Sequence, residues 1–393
     1  MKRLYLNNLG LINALGTNKE DVFLHLIKND QTNVITFDQL HTKRSTYIAT
    51  INHQFKDLEP KYHLFNCRNN QMLSYAYDQI KDSVENLKEK YGKNRIGIVL
   101  GTSTSGILEG EKAIEYYHQH ETFPKKFNYK QQELGQIALF LAQYADITGI
   151  SYTISTACSS SGKAILAGQR LIESNLCDAV IVGGCDSLCQ MTLNGFDALD
   201  SVSNTICQPF SQNRNGITIG EGAALFILSK EPAEIALLGG GESSDGYHIT
   251  SPDPQGLGAK LAIERALINS QIDKSLIGYI NAHGTATIKN DQMESKAIFD
   301  LFKDTVPITS TKPLTGHTLG AASATELGLL WLLLHERYNP HKQIPGQIWD
   351  NKKGDDIAEI GIPNEPFCFQ KDIFLSNSFA FGGNNVALVI ARS

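Results

Sequence analysis

The sequence predicts an α/β protein built from a repeated unit, with helices covering its sheets. Short apolar runs that end in glycine turns alternate with stretches whose apolar residues recur at helical spacing. Two segments of the first half return in the same order in the second. RIGIVLGTSTSGI at 95–107 resembles LIGYINAHGTATI at 276–288, and GEGAALFILSK at 220–230 resembles GGNNVALVIAR at 382–392. No low-complexity linker intervenes, and residues 231–241 are the only seam. Two packed halves are therefore expected, 1–235 carrying Cys158 and 236–393 carrying His283 and His317.

The elements follow in chain order. Residues 3–6 read as a strand and 18–27 as a helix. Residues 28–63 are polar and irregular, an excursion over the surface. Leu73, Tyr77, Ile80, Val84 and Leu87 share one face of a helix over 68–91. Residues 96–100 are a buried strand running into the turn GTSTSG, and 109–120 and 131–145 are helical. Tyr152, Thr153 and Ile154 are strand formers. After the small polar run 155–162, Ala164, Ile165, Gly168, Leu171 and Ile172 mark a helix. Residues 180–182 are another buried strand, closed by Gly183 and Gly184, and 220–230 end the first half in a strand.

Composition narrows the function. Hydrophobic residues are 41% of 393 and charged residues 19%, ordinary for a globular protein. The net charge of -6 gives no global basic field for nucleic acid. The opening MKRLYLNNLGLINALG lacks the core of a signal peptide. The longest apolar run, 327–334, is too short for a membrane span and fits a buried helix. Seven cysteines, an odd number mostly in apolar segments, suggest free thiols in a reducing cytoplasm. Cys185 and Cys189 have no second ligand pair, so core packing is expected there rather than zinc. The glycine clusters at 183–184 and 239–241 lack the acidic partner of a dinucleotide fingerprint.

Cys158 sits where strand changes to helix. A thiol there meets unpaired N–H groups and the positive end of the helix dipole, which favour thiolate. The plainer alternative is a buried cysteine that only packs. Three further stretches weigh against it. NAHGTAT at 281–287 puts His283 at a strand end, in the turn that corresponds to GTSTSG. STKPLTGHTLGAA at 310–322 puts Lys312 and His317 in a glycine-punctuated loop opening a helix that carries Glu326. SNSFAFGGNN at 376–385 sets Phe379 and Phe381 in a glycine turn between strands.

These stretches, with NLGLINALG at 8–16, TACSSSG at 156–162, NRNGITIGEGAA at 213–224 and SSDGYHITSP at 243–252, resemble the β-ketoacyl–acyl-carrier-protein synthases, condensing enzymes of the thiolase superfamily. The resemblance covers nearly the whole chain. It implies the duplicated five-layered αβαβα fold, two mixed sheets with buried helices between, and a dimer in which the nucleophile strands pair across a two-fold axis. It implies that Cys158 takes an acyl chain from a carrier-protein thioester, with the backbone N–H groups of Cys158 and Phe381 as oxyanion hole. His283 and His317 match the neutral imidazoles that donate to the malonyl thioester oxygen. Lys312 supplies positive charge, and Glu326 matches a buried acid that holds the site together. Thr250, Thr285, Thr287 and Phe379 match substrate-binding positions. No redox cofactor or catalytic metal is implied; a structural monovalent cation near Asn281, Glu326 and Ser376 is. Arg68, Lys125, Lys126, Lys130 and Arg214 are the candidates for meeting an acidic acyl carrier protein, with plain solvation as the alternative for each. Thr104 falls where relatives carry a bulky gate in the acyl channel. It is expected to admit a long rigid chain, the alternative being that it satisfies a backbone group in a tight turn.

Departures from the family pattern are Ala380, Asn384, Asn215 and Ser323, the first two of which put the mobility of the 379–384 loop in doubt. GTSTSG, CRNNQML, TISTACSSSGKA and GGCDSLCQMTLNGF look closer to ketosynthases of bacterial aryl polyene clusters. That subgroup implies discrete carrier proteins and a homodimer, or a heterodimer with a related ketosynthase-like subunit. The alternative is an elongating synthase of general fatty-acid biosynthesis. Non-catalytic chain-length subunits lack the cysteine that this chain keeps. Thiolases use a second cysteine, and none lies between Cys207 and Cys368. Synthases that start from coenzyme A thioesters pair cysteine with histidine and asparagine, which His317 argues against.

Overall fold

The computed structural model describes residues 3–393. Ten strands, numbered here in chain order, form one sheet: β1 Leu4–Ile12, β2 Ile96–Gly101, β3 Ser151–Ile154, β4 Ala179–Asp186, β5 Gly222–Ser229, β6 Ile235–Ser244, β7 Tyr279–Asn281, β8 Ile308–Thr309, β9 Ile373–Phe379 and β10 Asn384–Arg392. Their spatial order is β8-β7-β9-β10-β6-β1-β5-β4-β2-β3. The first half runs β3-β2-β4-β5-β1, and adding five to each number gives the second half. The duplication is therefore one of topology, and it pairs β2 with β7 and β5 with β10, the segments that resemble one another in sequence. Each half is mixed. β2 is parallel to β3 and β4, and β7 to β8 and β9, while β4–β5 and β9–β10 are antiparallel. The two expected sheets join edge to edge through a short pairing of Leu4 with Leu237 and Tyr5 with Ala236.

The helices are α1 Lys19–Ile27, α2 Arg68–Asp78, α3 Lys81–Tyr91, α4 Ile107–His120, α5 Gln136–Tyr144, α6 Ser160–Glu173, α7 Gln190–Ala198, α8 Leu257–Ser270, α9 Ile288–Phe302, α10 Lys312–Thr315 and α11 Ala322–Leu334. Strand alternation divides the core into layers. Val180, Val182, Phe226, Leu228, Leu388 and Ile390 face a central core around α6 and α11. Ile181, Leu225 and Ile227 face the other way, onto α2 and α5, and Ala387 and Val389 face α8 and α9. Every residue of α11 is buried, which is why its sequence is apolar all round rather than on one stripe. No helix among the described residues is long and apolar enough to cross a membrane.

Four expectations change in detail. Residues 68–91 form two helices, broken at Gln79, whose amide bonds the backbone of Leu11 and Thr17 and ties the break to β1. The 28–63 excursion contains strands Val34–Phe37 and Thr46–Ala49, which form a small sheet with Ile219–Gly220. The helix expected over 131–145 begins only at Gln136, after a separate 3-10 turn at Tyr129–Gln132. β4 runs through Gly183 and Gly184 instead of ending there. A Cβ on Gly183 would lie 1.9 Å from Ala224 O, so the glycine serves close strand pairing.

Gly101, at the end of β2, sets how closely that strand approaches α6. A Cβ there would lie 2.3 Å from Ser161 N at the start of the helix. Gly101→Ala should cost about 1–3 kcal/mol by overpacking and lower the urea midpoint. An unchanged midpoint would contradict this close approach.

Candidate active site

Leaving β3, the chain turns sharply before α6. Ala157 takes φ 52, uncommon for a residue with a Cβ. The small polar run stitches that turn: Ser160 Oγ accepts from Thr156 N at 2.8 Å, and Ser159 Oγ donates to Thr156 O at 2.8 Å. Cys158 is thereby held just ahead of α6, 6% exposed. Ser323 on α11 secures it from the other half, its Oγ 3.3 Å from Cys158 O and 2.7 Å from Ser378 Oγ. The departure at Ser323 thus adds a strut between halves.

Three turns of the second half close over the thiol. His317 Nε2 lies 3.0 Å from Cys158 Sγ. The rings of His283 and His317 are 5.3 Å apart and nearly perpendicular. Lys312 is fully buried in α10, and its ammonium bonds the His283 carbonyl and the Glu326 carboxylate. Burial, reinforced by the Lys312 charge, holds both imidazoles well below the usual histidine range, so both are neutral. Burial also raises Glu326, against Lys312 and Asn281. Cys158 departs from expectation. Burial pushes its thiol up to about 11, although Lys312 and the N–H groups of Phe381 and Cys158 pull the other way. The resting group is the thiol, because desolvation outweighs the helix terminus.

A cavity of about 290 Å³ opens from this cluster, and it brings the expected substrate residues together. Cys158, His283, His317, Phe379 and Phe381 line it together with Thr250, Thr285 and Thr287. The Thr285 and Thr287 hydroxyls are 2.9 Å apart. Phe381 packs on Phe196, ring centroids 5.6 Å apart. Gly382 and Gly383 take φ 76 and 72 in the turn beyond it. The loop is anchored at Ile249 O by Gly382 N, 2.8 Å, and on α6 by Lys163 Nζ to Asn384 Oδ1, 2.8 Å. Asn384, a departure from the family pattern, therefore supplies one of the two anchors of this loop.

Other expected residues lie elsewhere. Arg214 is 6% exposed and bonds Asp356 and the Ser211 carbonyl, so it cannot dock a partner. Arg68 makes a two-nitrogen bond to the buried Glu221 and covers the Phe55 ring. A carboxylate of the same chain engages each arginine, the buried Glu221 for Arg68 and the exposed Asp356 for Arg214. Lys125, Lys126 and Lys130 are exposed and make no ion pair among the described residues. Thr104 is fully buried away from the cavity lining; its hydroxyl donates to Asp186 at 2.9 Å and accepts from Ser187 N at 3.1 Å. The tight-turn alternative describes it, and the channel role expected of it has no support in this position.

Two buried acids beside the His283 turn escaped the sequence reading. Glu294 on α9 accepts from His283 N at 2.8 Å and Gly284 N at 2.7 Å, and burial pushes it up to about 7. Asp291, one turn earlier, accepts from Phe210 N and Ala286 N. Together they shape the NAHGTAT turn, and their i,i+3 spacing on a helix opening right after that turn was the available signal. As for metals, the Cys158–His283–His317 trio offers zinc-type ligands within 4.8 Å of one another. The adjacent Lys312 charge opposes a dication there. Glu326 Oε2 is buried with no partner among the described residues, near Asn281, which pairs with Ser376 across β7 and β9.

This arrangement has counterparts among known proteins. The chain matches the beta-ketoacyl synthase N-terminal domain over residues 26–233 and the C-terminal domain over 235–343. It is 28% identical over 421 residues to 3-oxoacyl-[acyl-carrier-protein] synthase 2 of Coxiella burnetii, covering 100% of this chain and 99% of that one. It is 27% identical over 428 residues to 3-oxoacyl-[acyl-carrier-protein] synthase 1 of Haemophilus influenzae, covering 100% and 99%. A ketosynthase solved in complex with its chain length factor, from Xenorhabdus doucetiae, gives a TM-score of 0.96 at 43% identity, over 100% of this chain and 98% of that one.

The thiol state can be checked directly. Alkylation of Cys158 by iodoacetamide, followed by peptide mass, should keep accelerating beyond about pH 9 because only the thiolate reacts. A plateau at neutral pH would contradict a thiol raised by burial.

Proposed function

Since the chain belongs to the beta-ketoacyl synthase family, we propose that it elongates an acyl chain held on Cys158 by decarboxylative condensation with a malonyl unit, both delivered by acyl carrier protein. The observation that carries this is the Cys158–His317 contact of 3.0 Å in a cavity that Thr285 and Thr287 also line. In the first step the thiol attacks the acyl thioester, the Cys158 sulfur–acyl bond forms, and the proton leaves with the pantetheine sulfur. The N–H groups of Cys158 and Phe381 stabilise the oxyanion. Thr285, Thr287 and Thr250 hold the pantetheine arm.

The second step needs an electron sink. When the malonyl carboxylate leaves as carbon dioxide, its bonding pair becomes an enolate on the thioester oxygen. Neutral His283 and His317, with protons on Nε2, donate to that oxygen, and Lys312 adds fixed positive charge nearby. Neutral donors suit the task, since they stabilise charge that appears only in the transition state. The enolate carbon then attacks the acyl thioester, a carbon–carbon bond forms, and the Cys158 sulfur leaves. Glu326 positions Lys312. Asn281, Ser376 and the free oxygen of Glu326 offer oxygen ligands of the kind that suit a structural monovalent cation.

The pathway we infer is aryl polyene assembly of the type II polyketide kind. GTSTSG, CRNNQML, TISTACSSSGKA and GGCDSLCQMTLNGF support it, as does the 43% identity to a ketosynthase solved with a chain length factor, against 27–28% to synthases 1 and 2. A partner subunit, a second copy or a related chain, would cover the free edge of β3, where Ile150, Tyr152 and Leu139 are exposed. Lys125, Lys126 and Lys130 remain as carrier-protein contacts.

Intact-mass analysis with acyl-carrier protein and no malonyl donor should show one acyl group per subunit, and none on Cys158→Ala. His283→Ala or His317→Ala should still take up the acyl group yet lose about 10²–10³ in carbon dioxide release from malonyl-carrier protein. An adduct on Cys158→Ala, or wild-type release from both histidine variants, would contradict the assignment.

A further inference from the structure

β4 ends in Asp186, a fully buried carboxylate with no cationic partner among the described residues. Such a charge persists only when donors surround it. Here they come from two separate turns. On the turn after β2, Thr102 Oγ1 donates at 2.6 Å, Ser103 N and Thr104 N at 2.8 Å, and Thr104 Oγ1 at 2.9 Å. From the turn Leu319–Ala321, between His317 and α11, Ala321 N donates to the other oxygen at 3.1 Å. One carboxylate therefore clamps a first-half turn to the segment that carries His317.

The same point meets the first turn of α6, the helix that follows the nucleophile. A Cβ on Gly184 would lie 2.8 Å from the Ser161 side chain and 3.3 Å from Ala321 Cα, so β4, α6 and the His317 segment converge there. A Cβ on Gly320 would lie 2.7 Å from Ser103 N, which places the two clamped turns in direct contact. Leu319, between them, takes φ 51, a conformation that needs holding. Asp186 touches neither Cys158 nor His317 and does not line the cavity.

We propose that Asp186 is a positioning residue that fixes His317 against Cys158 by clamping the turn after β2 to the turn that opens α11. It acts in the condensation step, and in this it rests on the proposed condensing function. Asparagine has the same shape but turns one acceptor into a donor, which would face backbone N–H groups. His317 would then drift while the Cys158 turn, stitched by its own serines, stays in place.

The test uses the full chain with acyl- and malonyl-carrier proteins. Intact mass counts the sites that acylate, and condensation is expressed per acylated site. A wild type that neither acylates nor condenses would defeat the proposed function, and Asp186 is judged only against an active wild type. Asp186→Asn should acylate Cys158 with a short primer to wild-type stoichiometry. Its kcat per acylated site should fall about a hundredfold, the scale of a misplaced catalytic group, with KM for malonyl-carrier protein little changed. Asp186→Glu, which restores the carboxylate, should recover part of that kcat. Should Asp186→Asn fail to fold, Thr104→Val, which removes one donor, should lower kcat per site in the same direction but less. The proposal is overturned if kcat per acylated site stays at the wild-type value in Asp186→Asn, or in Thr104→Val where the former does not fold. It is also overturned if Asp186→Glu recovers no kcat relative to Asp186→Asn.

Discussion

The site depends on one buried ammonium. Lys312 is fully enclosed, with the Glu326 carboxylate and the His283 carbonyl as its partners. A buried ion pair contributes little net stability, but stranding either member is costly. Its value here is chemical. Desolvation keeps His283 and His317 neutral, and the Lys312 charge reinforces it. The same charge opposes the desolvation that raises Cys158. One fixed cation thus lets the imidazoles act as donors without becoming cations, and it offers an anionic intermediate a positive field inside a low-dielectric pocket.

The duplicated topology explains how so many chemical groups reach one point. The turn clamped by Asp186 follows β2, and the His283 turn follows β7, its equivalent. Cys158 follows β3, and Lys312 and His317 follow β8. Asp186 closes β4, and Phe379 closes β9, with Phe381 just beyond. The functional segments are all carboxyl ends of equivalent strands, the place where open α/β sheets commonly present their ligand sites. α11 fastens to the nucleophile through Ser323 and Cys158, and the turn that opens α11 fastens to β4 through Ala321 and Asp186.

Much of this was legible in the sequence. Strand alternation, glycine turns and internal similarity pointed to the layered α/β fold, since burial on both faces leaves apolar runs that sequence displays openly. The nucleophile turn, both histidines and Lys312 were legible as a set. Charges were not. Arg68 and its partner Glu221 lie 153 positions apart, and nothing local distinguishes such an arginine from a solvated one. Asp186 was hidden for the same reason, because a buried acid is recognised by its donors and these come from turns 82 to 135 positions away. Thr104 was read from its alignment with a gate, whereas its hydroxyl is committed to Asp186 and Ser187. The break at Gln79 was invisible because the apolar face continues across it.

The most direct test of this account is the protonation of the two histidines. Nitrogen-15 NMR of labelled enzyme, with His283→Gln and His317→Gln used to assign the signals, reports neutral and cationic rings by distinct shifts. Both rings should remain neutral as the pH falls through 6.5, where an ordinary histidine becomes charged. An imidazolium signal from either ring above about pH 6 would contradict the central claim that burial and Lys312 hold the pair as uncharged donors.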